Sequence, residues 1–171
     1  MVIRPATPED HAAIRAVVTA AFTAEFGKSD EADLVDALRA DGDALVELVA
    51  IEDETVVGHV LFSPLTTDTG APFAALAPLS VVPGRQKDGL GTMLMQVGHE
   101  LCRAAGVDAI IVLGHPAYYP RVGYSGEAAK TVTAPFAGPH FMALALKPGA
   151  LDAPVAVTYA KAFGLPPMAS A

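Results

Sequence analysis

The order of hydrophobic patterns along the chain predicts a single mixed α/β domain, with a central sheet covered by helices. Apolar residues recur at helical spacing twice near the N-terminus. They then give way to three β-rich runs, a long helix, a buried strand and a late strand. No linker divides the 171 residues, a length that suits one domain, and 52% hydrophobic residues supply one packed core.

Residues 2–6 read as a short strand. Thr7-Pro8-Glu9-Asp10 has the pattern of a helix start, with Thr7 as N-cap, Pro8 at the first helical position and acids in the first turn. Ile14, Val17, Val18, Ala21 and Phe22 follow at helical spacing and place a first helix over about 8–22. Ser29 is positioned to cap a second helix whose apolar face is Leu34, Val35 and Leu38. Residues 45–51 and 55–62 are β-rich and joined by Asp53-Glu54, which reads as a hairpin; 63–72 reads as a loop, and 73–82 as a third, buried strand. A glycine-bearing turn over 83–91 leads into a helix with Met93, Leu94, Val97 and Leu101 on one face, ending at Gly106. Residues 109–113 are a buried strand, 114–123 a short helix or loop, and 141–146 a late strand. The proline-bearing tail from 148 onward is a loop with one short strand.

The formal net charge of −8 repels nucleic-acid phosphates, so no nucleic-acid partner is expected unless the few basic residues cluster. It attracts a cationic substrate such as an amine, and equally serves plain solubility. No apolar run reaches about 18 residues, so no membrane span is expected. The start Met1-Val2-Ile3-Arg4-Pro5 lacks the pattern of a signal peptide, and a lone Cys102 forms no internal disulfide; a reducing cytosol is the simplest compartment. Cys102 reads as core rather than nucleophile. No pair of His, Cys or acidic residues has metal-ligand spacing, so no metal is expected.

The chemistry lies in 79–92. Leu79-Ser80-Val81-Val82-Pro83 is a strand end that runs through Gln86-Lys87-Asp88-Gly89-Leu90-Gly91-Thr92 straight into a helix. The first amides of a helix lack internal partners and carry the positive end of the helix dipole, and glycines let a ligand approach the backbone. That combination suits a phosphate or pyrophosphate. A Walker loop is excluded because no Gly-Lys-Ser/Thr follows, and the dinucleotide fingerprint because Leu94 stands where a third glycine is needed.

Gln86-x-x-Gly89-x-Gly91 after a Val-x-Pro strand end resembles the acetyl-CoA signature of the GCN5-related N-acetyltransferases (GNAT). Tyr119-Pro120-Arg121-Val122-Gly123-Tyr124 is similar to that family's Tyr-x-Lys/Arg-x-Gly-Phe/Tyr block. The run 113–121 looks most like a bacterial subgroup, the YhbS-like proteins. The resemblance covers about residues 1–147 of one domain spanning 1–171, with 148–171 as an extension. It implies a mixed, mostly antiparallel sheet with helices on both faces, and transfer of an acetyl group from acetyl-CoA to a small-molecule or peptide amine. It assigns main-chain contacts with the pantetheine arm to Leu79, Ser80 and Val81. Pyrophosphate binding falls to the turn at Gln86, Lys87, Asp88, Gly89, Leu90, Gly91 and Thr92, where Asp88 is an unusual neighbour for phosphate. Tyr119 matches the tyrosine that protonates the departing thiolate, and Tyr118 is the fallback. A main-chain N–H near Val81 faces the oxyanion.

Two departures from the family pattern stand out. Residues 73–82 hold no carboxylate, which leaves Glu25, Glu31, Glu47 and His59 as candidates to take the amine's proton, with solvent as the alternative. The structural reading of His59 is a strand histidine hydrogen-bonded within the sheet. Val112 stands where the family often has asparagine, and Gly114-His115-Pro116 replaces a first helical turn, so His115 is a further candidate contact. A cofactor-binding sensor without catalysis and an unrelated nucleotide-binding enzyme remain as competing readings. The late strand over 141–146 could pair across a homodimer or be buried internally.

Overall fold

The computed structural model of the chain describes residues 1–27, 30–136 and 138–165. β1 (Val2–Pro5) enters a 3-10 turn at Pro8–Asp10 and then α1 (His11–Phe26), which buries Ile14, Val17, Val18 and Ala21. One carboxylate fixes this start. Asp10 accepts hydrogen bonds from both Arg4 guanidinium nitrogens at 2.7 and 3.0 Å, from the Thr7 N–H at 2.8 Å and from the Thr7 hydroxyl at 3.1 Å. The Arg4 hydrogen bonds hold its carboxyl well below the usual range against the opposing effect of burial. α1 runs past the expected end to Phe26 and stops at Gly27, in the left-handed conformation at φ 79°. α2 (Glu31–Ala40) buries Ala32, Val35 and Leu38; its expected cap, Ser29, lies outside the described residues.

β2 (Val46–Glu52) and β3 (Thr55–Thr67) form the expected hairpin. Asp53 and Glu54 both adopt positive φ, 50° and 62°, the geometry that matches the twist of a two-residue hairpin turn. β3 continues to Thr67, where the sequence reads as loop. It pairs there with both β4 (Phe73–Val81), as in Leu65↔Phe73, and β8 (Val155–Thr158), as in Thr66↔Thr158. Pairing on two edges overrides the turn propensity of Pro64 and the threonines.

α3 (Leu90–Ala104), β5 (Ala109–Leu113), β6 (Val132–Thr133) and β7 (Phe141–Ala145) complete the fold. The main path of the sheet is β1-β2-β3-β4-β5-β7, and each neighbour is antiparallel except the parallel pair β4–β5. The two-residue β6, too short to show in the sequence pattern, pairs with β8. β7 pairs with β5 inside the chain, and Ser125 bridges Ala143 on its other side. α3 covers one face over Leu48, Val60, Phe62, Leu76 and Ile110. α1 and α2 cover Val49 and Leu61 on the other, and the C-terminal segment covers Phe73, Ile111 and Phe141. These are helices on both faces of a mostly antiparallel sheet.

The buried stripe of α3 corrects the expected one. Leu94, Met95, Gly98 and Cys102 face the sheet, whereas Met93, Val97 and Leu101 are 37–38% exposed. Both stripes are apolar, so periodicity alone does not choose between them. The small Gly98 does, because the Phe62 ring occupies the space beside it. Cys102 lies in this core, where burial raises its thiol to about 12 and keeps it from acting as a nucleophile. Leu94→Ala, at a fully buried position against β3, should lower unfolding free energy by about 2–5 kcal/mol in urea denaturation with an unchanged m-value. A loss near zero would mean that α3 does not carry the core.

Candidate functional site

The site forms where two strands part. The parallel ladder between β4 and β5 spans only Phe73↔Ala109 to Leu76↔Val112. Opposite this end the β3–β4 register shifts between Val60 and Phe62, next to Pro78, whose nitrogen cannot donate to the ladder. The rest of β4 keeps β3 and has no β5 partner. The Val82 N–H donates to Val57 O, towards β3. Strand alternation therefore turns the main-chain groups of Leu79 and Val81 to the open edge and those of Ser80 to β3.

A cavity of about 350 Å³ opens from this edge. Ala77, Pro78 and Leu79 form one wall, and Leu113, Gly114, His115 and Tyr119 another; α1, α2 and the C-terminal segment close it.

Beyond β4, the turn is tied back to the strand. The Gln86 side chain donates from Nε2 to Val81 O at 3.2 Å. Asp88, half exposed, is ion-paired: Arg85 Nε donates to its Oδ2 at 2.9 Å, and the same guanidinium also holds Glu52 through a short contact. The chain then passes Lys87 at φ 71° and Gly89 at φ 81° into α3. The side chain of Leu90 is in the core, while the amides of Leu90, Gly91 and Thr92 open the helix and have no acceptor earlier in it.

The two adjacent tyrosines diverge. Tyr118 places its hydroxyl against Gly91 at the start of α3, where an added Cβ would lie 2.4 Å away. Tyr119 lies in the 3-10 turn Tyr119–Val122 and lines the cavity. Its ring packs on Gly114, where an added Cβ would come within 2.2 Å of it. On the other side stands Tyr124, with ring centroids 5.8 Å apart and planes at 88°. Tyr124 is buried and its hydroxyl lies 2.8 Å from His99 Nε2 on α3. Burial, with Tyr118 and Glu25 nearby, raises the Tyr119 phenol above its ordinary pKa, so it stays protonated through neutral pH.

The candidate bases separate into two groups. Glu25, Glu31 and His115 line the cavity, with Glu25 Oε1 3.1 Å from His115 Nε2. Burial, helped by Asp30, pushes the Glu31 carboxyl up. Glu47 and His59 are elsewhere, under α2. Burial would raise Glu47, but hydrogen bonds from His59 and Arg39 outweigh it and bring the carboxyl to about 2. Burial keeps His59 neutral, so its Nε2–H donates to Glu47 Oε1 at 2.9 Å; Nδ1, like the Ser80 hydroxyl across the ladder, has no hydrogen-bond partner among the described residues.

Leu79 and Tyr119 thus line the cavity, Val81 is tied to Gln86 in the turn before α3, and Gly91 meets Tyr118, whereas the Ser80 side chain is buried. The sequence reading missed Arg85, His99 and Phe136. His99 had no motif to mark it, because its value lies in a partner 25 residues away. Among the described residues no group of three or more His, Cys, Asp or Glu is placed to hold a metal ion, and no helix is long and apolar enough to cross a membrane.

The profile of the acetyltransferase (GNAT) family matches residues 11–124, and the chain belongs to that family. It is 41% identical over 120 residues to the uncharacterized N-acetyltransferase YjhQ of Escherichia coli (strain K12), covering 67% of this chain and 64% of that one. The structure of the Escherichia coli GNAT family N-acetyltransferase YhbS in complex with CoA superposes at a TM-score of 0.86, with 31% identity over 96% of this chain and 92% of that one. A GNAT family acetyltransferase from Brucella melitensis in complex with acetyl-CoA gives 0.79, with 36% identity over 95% and 97%.

His59 and His99 are both held neutral by burial, His99 at about 4. A depressed histidine pKa means stability that is complete above an unfolded value of about 6.5 and is lost as pH falls below it, by up to about 1.4 kcal/mol per pH unit for each group. Urea denaturation between pH 6 and 5 should show this slope, and His59→Gln should remove about half of it. An unchanged slope in the variant would mean that His59 is already charged in the fold.

Proposed function

We propose that the protein transfers the acetyl group of acetyl-CoA to a primary amine by direct attack of the amine on the thioester. The observation that carries this reading is the open edge of β4. It joins an anion-binding helix start on one side to a cavity with carboxylates and a protonated tyrosine on the other. Complexes of similar folds with CoA and acetyl-CoA support it. The pyrophosphate takes the amides over Lys87–Thr92, with Arg85 screening the charge of Asp88. The pantetheine arm runs along the outward main-chain groups of Leu79 and Val81, in a site to which Ser80 contributes through the strand.

The amine enters from the cavity. An alkyl ammonium has a pKa near 10, like that of lysine, and must lose a proton before it attacks. Glu31 takes it, since a carboxyl raised by burial is a better base than an exposed one. The nitrogen bonds to the thioester carbon, and the oxyanion takes the Val81 N–H. The C–S bond then breaks, and the Tyr119 hydroxyl hydrogen-bonds to the departing sulfur. A phenol raised by burial is a reluctant acid, so this hydrogen bond in the transition state is its main contribution and the proton follows as the thiol forms. A reducing cytosol remains the proposed setting, given a single buried cysteine.

Titration with acetyl-CoA by calorimetry, with ATP in parallel, should give saturable binding of acetyl-CoA alone. ATP binding in its place would point to a nucleotide enzyme. Tyr119→Phe should keep that affinity and lower kcat by about 10–1,000-fold with the preferred amine, whereas Tyr118→Phe should act mainly on cofactor affinity. Full turnover in Tyr119→Phe would remove the role given to Tyr119, and cofactor binding without turnover on any amine would favour a non-catalytic sensor.

A further inference from the structure

A polar row crosses the sheet from α2 to β4. It starts in the last turn of α2, where Arg39 donates from Nη2 to Glu47 Oε1 at 2.6 Å and from Nε to Oε2 at 3.1 Å. Glu47 on β2 accepts from His59 Nε2–H on β3 at 2.9 Å. Opposite His59 in the β3–β4 ladder stands Ser80. His59 and Ser80 are 0% and 2% exposed.

The row breaks off at its last step. Three buried side-chain atoms have no hydrogen-bond partner among the described residues: His59 Nδ1, Ser80 Oγ and Ser63 Oγ. Ser63 stands opposite Ala75, whose methyl group offers a hydroxyl nothing. His59 and Ser80 stand opposite each other, and side chains so placed have Cβ atoms about 4.5–5.5 Å apart, within reach of a hydrogen bond or of one bridging water. The two atoms are also complementary. Glu47 takes the Nε2–H of a ring that burial keeps neutral, so Nδ1 can only accept, and the serine hydroxyl can donate. Left apart, a buried acceptor and a buried donor on one rung would each cost stability.

This rung lies where β4 is least supported. The β5 ladder stops at Leu76↔Val112, and beyond it β4 pairs with β3 alone. Main-chain hydrogen bonds join alternate pairs of an antiparallel ladder. The Val82 N–H donates to Val57 O, so His59↔Ser80 is the next bonded pair and the last before the register shift. On either side of Ser80 are Leu79 and Val81, whose main-chain groups face the open edge.

From this we infer that the Ser80 hydroxyl hydrogen-bonds to His59 Nδ1, directly or through one buried water, and that the two residues thereby position the open edge of β4 for the cofactor. Both are positioning residues, acting through the strand. The cofactor half of the inference rests on the acetyl-transfer reading; the contact itself does not.

Heteronuclear NMR of the imidazole nitrogens reads the contact without any ligand, and the signals lost in His59→Gln identify His59. The Nε2–H tautomer is expected. Ser80→Ala removes only a hydroxyl, so the fold is retained, and it should move the Nδ1 signal while leaving Nε2 in place. In calorimetry Ser80→Ala should weaken acetyl-CoA binding about threefold to tenfold, the worth of one hydrogen bond, and Ser80→Thr, which keeps the hydroxyl, should restore it to within about twofold. His59→Gln keeps a donor for Glu47 but lacks Nδ1, and adding Ser80→Ala to it should cost no further affinity. An Nδ1 signal indifferent to Ser80→Ala would overturn the contact. Undiminished affinity in Ser80→Ala, or losses that add in the double variant, would overturn the positioning role. If the unaltered protein binds no acetyl-CoA while Nδ1 still responds to Ser80→Ala, the contact stands and the cofactor role falls with acetyl transfer, so the two readings fail separately.

Discussion

The parallel pairing of β4 with β5 lasts for four residues, and the rest of the site follows from where it stops. A fully paired β4 would have given all its main-chain groups to the sheet and left none for a ligand. Pro78 and the register shift opposite it bring this about while β3 still holds the strand. The free edge faces the start of α3 because the Gln86 side chain ties the intervening turn to Val81. Strand edge and helix start are each unremarkable, and a cofactor site needs both at one place.

The tyrosine block shows how a sequence motif can be half chemistry and half support. Tyr119 reaches the cavity, but its position is set by Tyr124, which is fixed to His99 on α3, and by the absence of a side chain at Gly114. α3 therefore touches two parts of the proposed site: its first turn presents amides with no acceptor earlier in the helix, where the proposal puts the pyrophosphate, and its third turn holds the residue that positions Tyr119. Burial keeps His99 neutral, and the charge of Arg103 acts in the same direction.

Much of this was legible in the sequence, for identifiable reasons. The glycine turn before a helix is local, so its spacing reveals it, and the tyrosine block is equally local and stands out by its similarity to the family's block. The hairpin at Asp53-Glu54 and the strands over 73–82 and 109–113 were visible as apolar runs. Three features were not legible. The continuation of β3 to Thr67 depends on partners on both edges, which turn-like residues conceal. The buried face of α3 depends on which of two apolar stripes meets Phe62. The separation of the candidate bases depends on contacts distant in sequence: Arg39 ion-pairs with Glu47, which also accepts from neutral His59, whereas Glu25 and Glu31 line the cavity.

Charge then raises a problem that the fold resolves locally. On the proposed reaction, a chain with net charge −8 has to receive a polyanionic cofactor and an amine acceptor side by side. The acidic residues near the helix start are neutralised in place, because Arg85 bridges Glu52 and Asp88. The anion then meets backbone dipoles and not bare carboxylates. In the cavity Glu25 lies against His115, and burial raises the Glu31 carboxyl. Leu79 of β4 lines the cavity and Val81 of the same strand is tied to the turn before α3, so the open edge of β4 connects the two regions, and the proposed reaction puts the thioester and the amine there.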